Sequence, residues 1–298
     1  EHMKKQRDSR DDRIFYAVNA ALLTLIMLVV LYPLIFIVSC SFSSAHAITS
    51  GRVILWPVDV TLRGYKAVFD YPTVLRGYLN TFFYTFSGTL INIALTMIAA
   101  YPLARPQLPG RKGLMLMFTF TMLFSGGMIP TYILVRGLGM INTVWAMIIP
   151  GALSVYNMII TRTFLQTNVP LELLEASQID GCSDFRYFFS VVLPLSKAVI
   201  AVITLYYAVG HWNSYFSAFL YLSDQKLYPL QIVLRDILLA NSFDASLIVD
   251  EELAAAKQGL ADLLKYSLMV VSSLPVIIMY PFVQKYFIQG VLIGSIKG

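Results

Sequence analysis

An all-α integral membrane protein with six transmembrane helices is the fold class that this sequence predicts, on three observations. Of its 298 residues, 57% are hydrophobic and only 13% charged, with a mean hydropathy of +0.69. A soluble domain is about 45–50% apolar and about 25% charged, so this composition excludes both a soluble globular chain and a disordered one. The apolar residues fall into long continuous runs, each near the ~20 residues needed to cross a bilayer. Charges gather at the ends of these runs: no Asp, Glu, Lys or Arg lies between Gly77 and Ala104, between Ala198 and Ser223, or between Tyr266 and Gln284. A charge at the bilayer centre costs about 2.5–3.5 kcal/mol on insertion scales. Continuity rather than alternation of the apolar residues argues against strands.

In chain order the predicted spans are Ile14–Ser39, Tyr78–Leu103, Leu114–Val135, Val144–Leu165, Leu195–Leu222 and Tyr266–Ile288. Lys4, Lys5, Arg7, Arg10 and Arg13 precede the first span, and Arg105, Arg111 and Lys112 fall between the second and third. An N-terminus in the cytoplasm puts most of the 22 Lys and Arg on the inner side, as the positive-inside rule requires. Both termini are then cytoplasmic, and the net charge of +5 reports topology rather than a nucleic-acid partner. The expected organisation is a tail over 1–13, a six-span domain over 14–289 and a second cytoplasmic tail over 290–298. Glu1 and His2 before Met3 read as a cloning remnant. The first span has no small-residue cleavage site and reads as uncleaved. Outer segments cover about 40–77 and 223–265, the latter with an amphipathic acidic helix expected over Asp250–Leu264. Cys40 and Cys182 fall on opposite sides of the membrane in this topology and cannot pair.

The inner loop over 166–194 is the most informative stretch. Pro170 suits a first helical position. Leu171, Leu174 and Ile179 follow at helical spacing, with Gln178, as an amphipathic stripe. Gly181 fits a left-handed helix end, and Ser183 with Asp184 can cap a second helix. The result is a helix–turn–helix elbow ending at Pro194. An interfacial helix resting on lipid would be the plain alternative, but the elbow carries Glu172, Glu175, Asp180 and Asp184 and little basic charge. Anionic headgroups repel that pattern, so a protein partner fits it better.

Glu175, Ala176 and Ser177, then Gly181, then Val191, then Leu193 and Pro194 stand at the spacing of the EAA loop. In that respect the chain resembles the permeases of binding-protein-dependent ABC importers. Ser177 replaces the loop's second alanine and Val191 its isoleucine. The resemblance runs along nearly the whole chain: FSGGMIPTY at 124–132, HWNSYF at 211–216, PLQ at 229–231 and GSIKG at 294–298 are similar to the sugar-importing permeases. Most similar is the second permease of oligosaccharide and polysaccharide systems, a group that includes importers of pectin fragments and alginate; the maltose importer's smaller permease is a more distant relative.

The resemblance implies a type I importer permease fold in the bacterial cytoplasmic membrane. It implies a heterodimer with a second homologous permease, two ATP-binding subunits that hold ATP and magnesium, and an extracytoplasmic solute-binding protein that delivers a saccharide. The elbow becomes the coupling helix, with Glu175, Ala176 and Gly181 against the ATP-binding subunit and Leu171, Leu174, Ser177 and Asp180 as further candidates. The second outer segment would reach towards the binding protein, and the C-terminal tail towards the ATP-binding subunits.

Other chemistry finds little support in the residues. The Ser-Gly-Gly at 125–127 lies in an apolar span, and no phosphate-binding Gly-x-x-x-x-Gly-Lys motif exists in the chain; beside Pro130 the glycines read as a break in the third span, or as a helix-packing site. His211, Trp212, Asn213 and Tyr215 form the most polar cluster of the fifth span. They are either interhelical glue or a sugar-contacting patch, since amide and indole groups suit hydroxyls and apolar sugar faces. Asn80, Asn92 and Asn157 read as glue. One span histidine is too few for a metal site, and no span acid partners it for a proton relay. No cofactor and no catalytic residue is expected in this chain. An ion-gradient-driven secondary transporter of a small solute, or a membrane scaffold without flux, remains the alternative.

Overall fold

The computed structural model describes residues 9–246, 259–279 and 281. Helices account for nearly all the regular structure, and among the described residues there is no strand. Two units pack separately: the described parts of Glu1–Asp70 with Ile237–Ser272, and of Tyr71–Asp236 with Ser273–Gly298.

The first unit begins with α1 (Arg10–Ser41), opened by a reciprocal cap in which Ser9 and Asp12 satisfy each other's backbone N–H. Its apolar side chains stay exposed through most of its length, as a helix bathed in hydrocarbon would have them. Burial begins at Ser39, Cys40 and Ser41. There the short helices α2 (Ala45–Thr49) and α3 (Arg63–Phe69) and the last described helix, 259–279, complete a small core around Cys40, Ala47, Val53 and Tyr266. Both cysteines are free thiols.

The second unit is built on α4 (Pro72–Ala104), which packs most extensively against α12 (Lys197–Trp212) and α8 (Val155–Asn168). Around this trio lie α5 (Arg111–Leu123), α6 (Met128–Gly137), α7 (Val144–Ile148), α9 (Leu171–Ile179), α10 (Asp184–Tyr187), α11 (Leu193–Leu195), α13 (Tyr215–Tyr221) and, over 230–236, the first part of α14 (Leu230–Ser246). A π-turn over Phe188–Val192 joins α10 to α11.

Three predicted spans are interrupted. The third breaks at 124–127 between α5 and α6, which meet at 111°, where the two glycines and Pro130 place it. The fourth was expected as one helix and is two, α7 and α8, separated by 149–154. The side chain of Asn92 on α4 donates to the carbonyls of Gly151 and Ala152, both at 2.8 Å, and Tyr207 Oη on α12 accepts from the Ser154 N–H at 3.1 Å. Those distant groups satisfy the backbone freed by the break. The fifth span likewise ends at Trp212 and resumes at Tyr215; Asn213 caps the end and its side chain donates to the Val209 carbonyl at 3.0 Å, the local competition with the helix ladder that favours asparagine at such ends.

Two further expectations are revised. The second outer segment contains α14, held by the buried side chains of Leu230, Ile232, Val233, Leu234 and Ile237. Of the helix expected over Asp250–Leu264, only Gly259–Leu264 is described, and it is the start of the last helix; residues 250–258 lie outside the described ones.

The α4–α12 packing depends on Gly88, because a side chain there would occupy the space of the His211 imidazole. Overpacking of a filled site costs about 1–3 kcal/mol. Gly88→Leu is therefore expected to lower the thermal midpoint of the detergent-solubilised protein by several degrees. Gly137→Leu, where open space surrounds the glycine, should move it much less; equal midpoints would disprove the close approach.

Candidate functional site: the elbow and the polar junction

The elbow begins where Pro170 stands as N-cap of α9, one place earlier than the expected first helical position. Its trans-extended backbone turns the chain out of α8. α9 closes with a paired C-terminal motif: the Gly181 N–H donates to the Gln178 carbonyl at 3.1 Å and the Cys182 N–H to the Ser177 carbonyl at 2.9 Å. Gly181 has φ +70°, a conformation that a Cβ makes costly. Ser183 then accepts the Arg186 N–H and starts α10.

The stripe does not form one apolar face. Leu174 is 7% exposed and packs in a core with Ala100, Leu103, Leu165 and Tyr187, whereas Ile179 is 87% exposed and Leu171 is also open. Leu174 thus fastens α9 to its own chain. Glu175, Ala176, Asp180 and Gly181 are exposed, and Ser177 is half-buried, its hydroxyl donating to the Leu174 carbonyl at 2.7 Å. The exposed residues include the carboxylates Glu172, Glu175 and Asp180 and the large apolar side chain of Ile179.

A second fastening, not anticipated from the sequence, is Arg105 at the end of α4. Its Nη1 donates to Asp184 Oδ1 at 3.0 Å, and its guanidinium lies over the Tyr101 ring, 4.3 Å from the centroid. Burial pushes the Tyr187 hydroxyl up from its ordinary pKa, and the nearby Arg105 charge pulls it back down. The only signal in the sequence was a basic residue directly after a span whose next inner loop is acidic.

The four residues of the polar cluster separate. His211 Nε2 is 2.7 Å from Asn92 Oδ1, so the histidine belongs to the junction of α4, α12 and the 149–154 break. With Asn213, Ser214 and Tyr206 it lines a cavity of about 340 Å³. The Ser214 hydroxyl there is buried and has no hydrogen-bond partner among the described residues. Trp212 is 4% exposed and packs edge-on against Phe82, ring centroids 5.3 Å apart, and close to Tyr78; it is a packing residue of α4 and α12. Tyr215 stacks near Phe219, and the Arg235 guanidinium lies over both rings, 5.8 and 5.2 Å from their centroids. Asn80 donates to the Lys226 and Tyr228 carbonyls at 2.8 and 2.9 Å, tying a loop to α4 rather than helix to helix.

No protein-family model matches the chain. It is 39% identical over 290 residues to the polygalacturonan/rhamnogalacturonan transport system permease protein YtcP of Bacillus subtilis (strain 168), covering 96% of this chain and 99% of that one. It is 28% identical over 248 residues to the melibiose/raffinose/stachyose import permease protein MelC of the same organism, covering 82% and 84%. Among solved structures it matches a chain of a bacterial ABC transporter involved in the import of the acidic polysaccharide alginate, with TM-score 0.84, 36% identity and 95% and 100% coverage. The chain belongs to the family of permease subunits of carbohydrate ABC import systems. It is a non-catalytic membrane component of such a system, and separate partner subunits hydrolyse ATP. The relatives lend the ion-gradient alternative no support.

Truncating Leu174 to Ala should loosen α9 by roughly 2–5 kcal/mol, the usual cost at a packed site. Hydrogen exchange across 171–182 is expected to accelerate strongly in Leu174→Ala and hardly at all in Ile179→Ala, whose side chain is exposed. Similar rates in the two variants would refute the anchoring.

Proposed function

We propose that this chain is one of two homologous permeases of a type I importer in the bacterial cytoplasmic membrane, with six spans and both termini in the cytoplasm. α1, α4, the α5–α6 pair, the α7–α8 pair, α12 with α13, and the helix beginning at Gly259 supply the spans. Two ATP-binding subunits carry the nucleotide and magnesium, and an extracytoplasmic solute-binding protein delivers the ligand.

One observation carries the coupling assignment: the elbow is fastened by Leu174 on α9 and by the Arg105–Asp184 pair at the start of α10, while Glu175, Ala176, Asp180, Gly181 and Ile179 stay open. A lever must be tied at one face and free at the other. Closure of the ATP-binding pair would move the open face, and the two ties would pass that movement to α4. Such coupling exists only if the elbow is contacted differently in the two states.

We further infer an acidic saccharide as substrate. Relatives named for polygalacturonan and alginate support this reading. So does the pairing of Arg235 with Tyr215 and Phe219, since aromatic faces take the apolar side of a sugar ring and a guanidinium takes its carboxylate. His211, Asn213 and the free Ser214 hydroxyl would serve the hydroxyls of a passing sugar.

In proteoliposomes holding the whole complex, Glu175→Lys and Gly181→Pro should abolish the stimulation of ATP hydrolysis by loaded binding protein while leaving the subunits assembled. Proline cannot adopt the positive φ of residue 181. Normal stimulation in both variants would overturn the coupling role. Arg235→Gln should reduce uptake of oligogalacturonate at least several-fold more than uptake of an uncharged oligosaccharide of equal length; an equal loss, or none, would remove the acidic preference.

A further inference from the structure

The outer half of α4 carries a set of ties that all reach one segment. Residues 222–229 link α13 to α14 and contain a single 3₁₀ turn over Gln225–Leu227. Arg76 Nε and the Asn80 amide donate to the Lys226 carbonyl at 3.2 and 2.8 Å. The same amide donates to the Tyr228 carbonyl at 2.9 Å, and Tyr84 Oη donates to the Leu227 carbonyl at 2.8 Å. Thr81 Oγ1 accepts the buried Leu230 N–H at 2.8 Å. Gly77 permits this closeness, since a Cβ there would stand 3.1 Å from the Leu230 Cα. Nearer α13, Asn142 Oδ1 accepts the N–H groups of Ser223 and Asp224 at 3.0 and 2.8 Å.

These bonds all serve backbone, so they fix the path of the strap whatever its side chains do. Freeing it would leave several donors and acceptors unmatched, and those that are buried would find no water to replace them. Ser223, Asp224, Gln225 and Lys226 are meanwhile exposed. The strap is thus tied on its α4 side and open on the other, as the elbow is. α4 joins the two. Among the described helices that lie wholly in the second unit, it alone is long and apolar enough to cross a membrane without a break. The α5–α6, α7–α8 and α12–α13 pairs are each interrupted, and an interruption lets two halves move separately. Thr81 and Leu103 are 22 residues apart, about 33 Å of helix at 1.5 Å per residue. Leu103 packs with Leu174 in one core, and Arg105 pairs with Asp184.

We propose that Asn80, Thr81 and Tyr84 are positioning residues through which the loaded solute-binding protein, resting on the strap, acts on the elbow. A load on 223–226 passes into α4 through the backbone bonds. The unbroken helix carries it to Leu103 and Arg105, which hold α9 and α10. The binding protein biases the transporter only if it contacts the strap differently in the two states. The inference rests on the function proposed above, which supplies the binding protein and places the strap outside.

The test uses the whole complex in proteoliposomes, with ATP hydrolysis measured with and without binding protein loaded with oligogalacturonate. Thr81→Val keeps the side-chain shape and removes the acceptor for the Leu230 N–H, whereas Thr81→Ser keeps the acceptor. Thr81→Val is expected to lower the stimulated rate several-fold and leave the unstimulated rate unchanged, with Thr81→Ser close to the parent protein. Tyr84→Phe, which removes only the bond to the Leu227 carbonyl, should shift the stimulated rate in the same direction and keeps the test open if Thr81→Val fails to assemble. Hydrogen exchange over 171–182 should respond to loaded binding protein in the parent complex and not in Thr81→Val. Normal stimulation in Thr81→Val and Tyr84→Phe, an equal loss in Thr81→Val and Thr81→Ser, or a proportional loss of both rates would overturn the positioning role and leave the proposed function standing. A parent complex whose hydrolysis ignores the loaded binding protein would instead refute the proposed function itself.

Discussion

The structure depends above all on finding partners for backbone groups where helices stop inside a membrane. In hydrocarbon an unpaired N–H or C=O costs several kcal/mol, so irregular backbone persists only where protein or an aqueous cavity satisfies it. α4 meets that need at the break over 149–154, and it serves the segment after the fifth span in the same way. Asn92 serves the Gly151 and Ala152 carbonyls, Asn80 and Tyr84 serve carbonyls between Lys226 and Tyr228, and Thr81 accepts the Leu230 N–H at 2.8 Å. Tyr207 adds the Ser154 N–H and a 2.7 Å bond to Thr96. Asn80, Thr81, Tyr84 and Asn92 are thus a row of braces for backbone between the longer helices. The break at 124–127 differs: its residues are exposed on this chain.

This division explains what could be read in advance. The elbow was legible because its signals are local: Pro170, Gly181 and Ser183 each act on backbone within a few residues. The glycine break in the third span was legible for the same reason. The break in the fourth span was not, because Asn92 lies 59 and 60 residues from the carbonyls it serves. Nothing between Val144 and Leu165 announces it apart from Pro150 and Gly151. α14 went unread because its apolar residues stand inside a segment with charges at both ends.

In the polar cluster, sequence neighbours proved to have separate tasks. His211 and Trp212 project from adjacent positions of a helix about 100° apart, one towards Asn92 and one towards Phe82. Asn213 and Tyr215 lie beyond the helix end, so helical spacing does not govern them. Residue type marked all four as polar or aromatic in an apolar run, yet only the three-dimensional break decides which can meet a solute. Arg105 and Asp184, separated by 79 residues, are the counterpart: ordinary flanking charges in the sequence that together become a mechanical tie.

That tie is modest by itself. The Asp184 side chain is 65% exposed, and a pair so placed contributes about 0–1 kcal/mol. Alone it cannot hold the elbow against a load. Leu174 and Tyr187 contribute far more through burial, but apolar packing is non-directional and permits sliding. A directional ion pair added to a packed anchor fixes register without making the joint rigid. A joint of that kind can transmit motion and still relax, which is what the proposed coupling role requires of it.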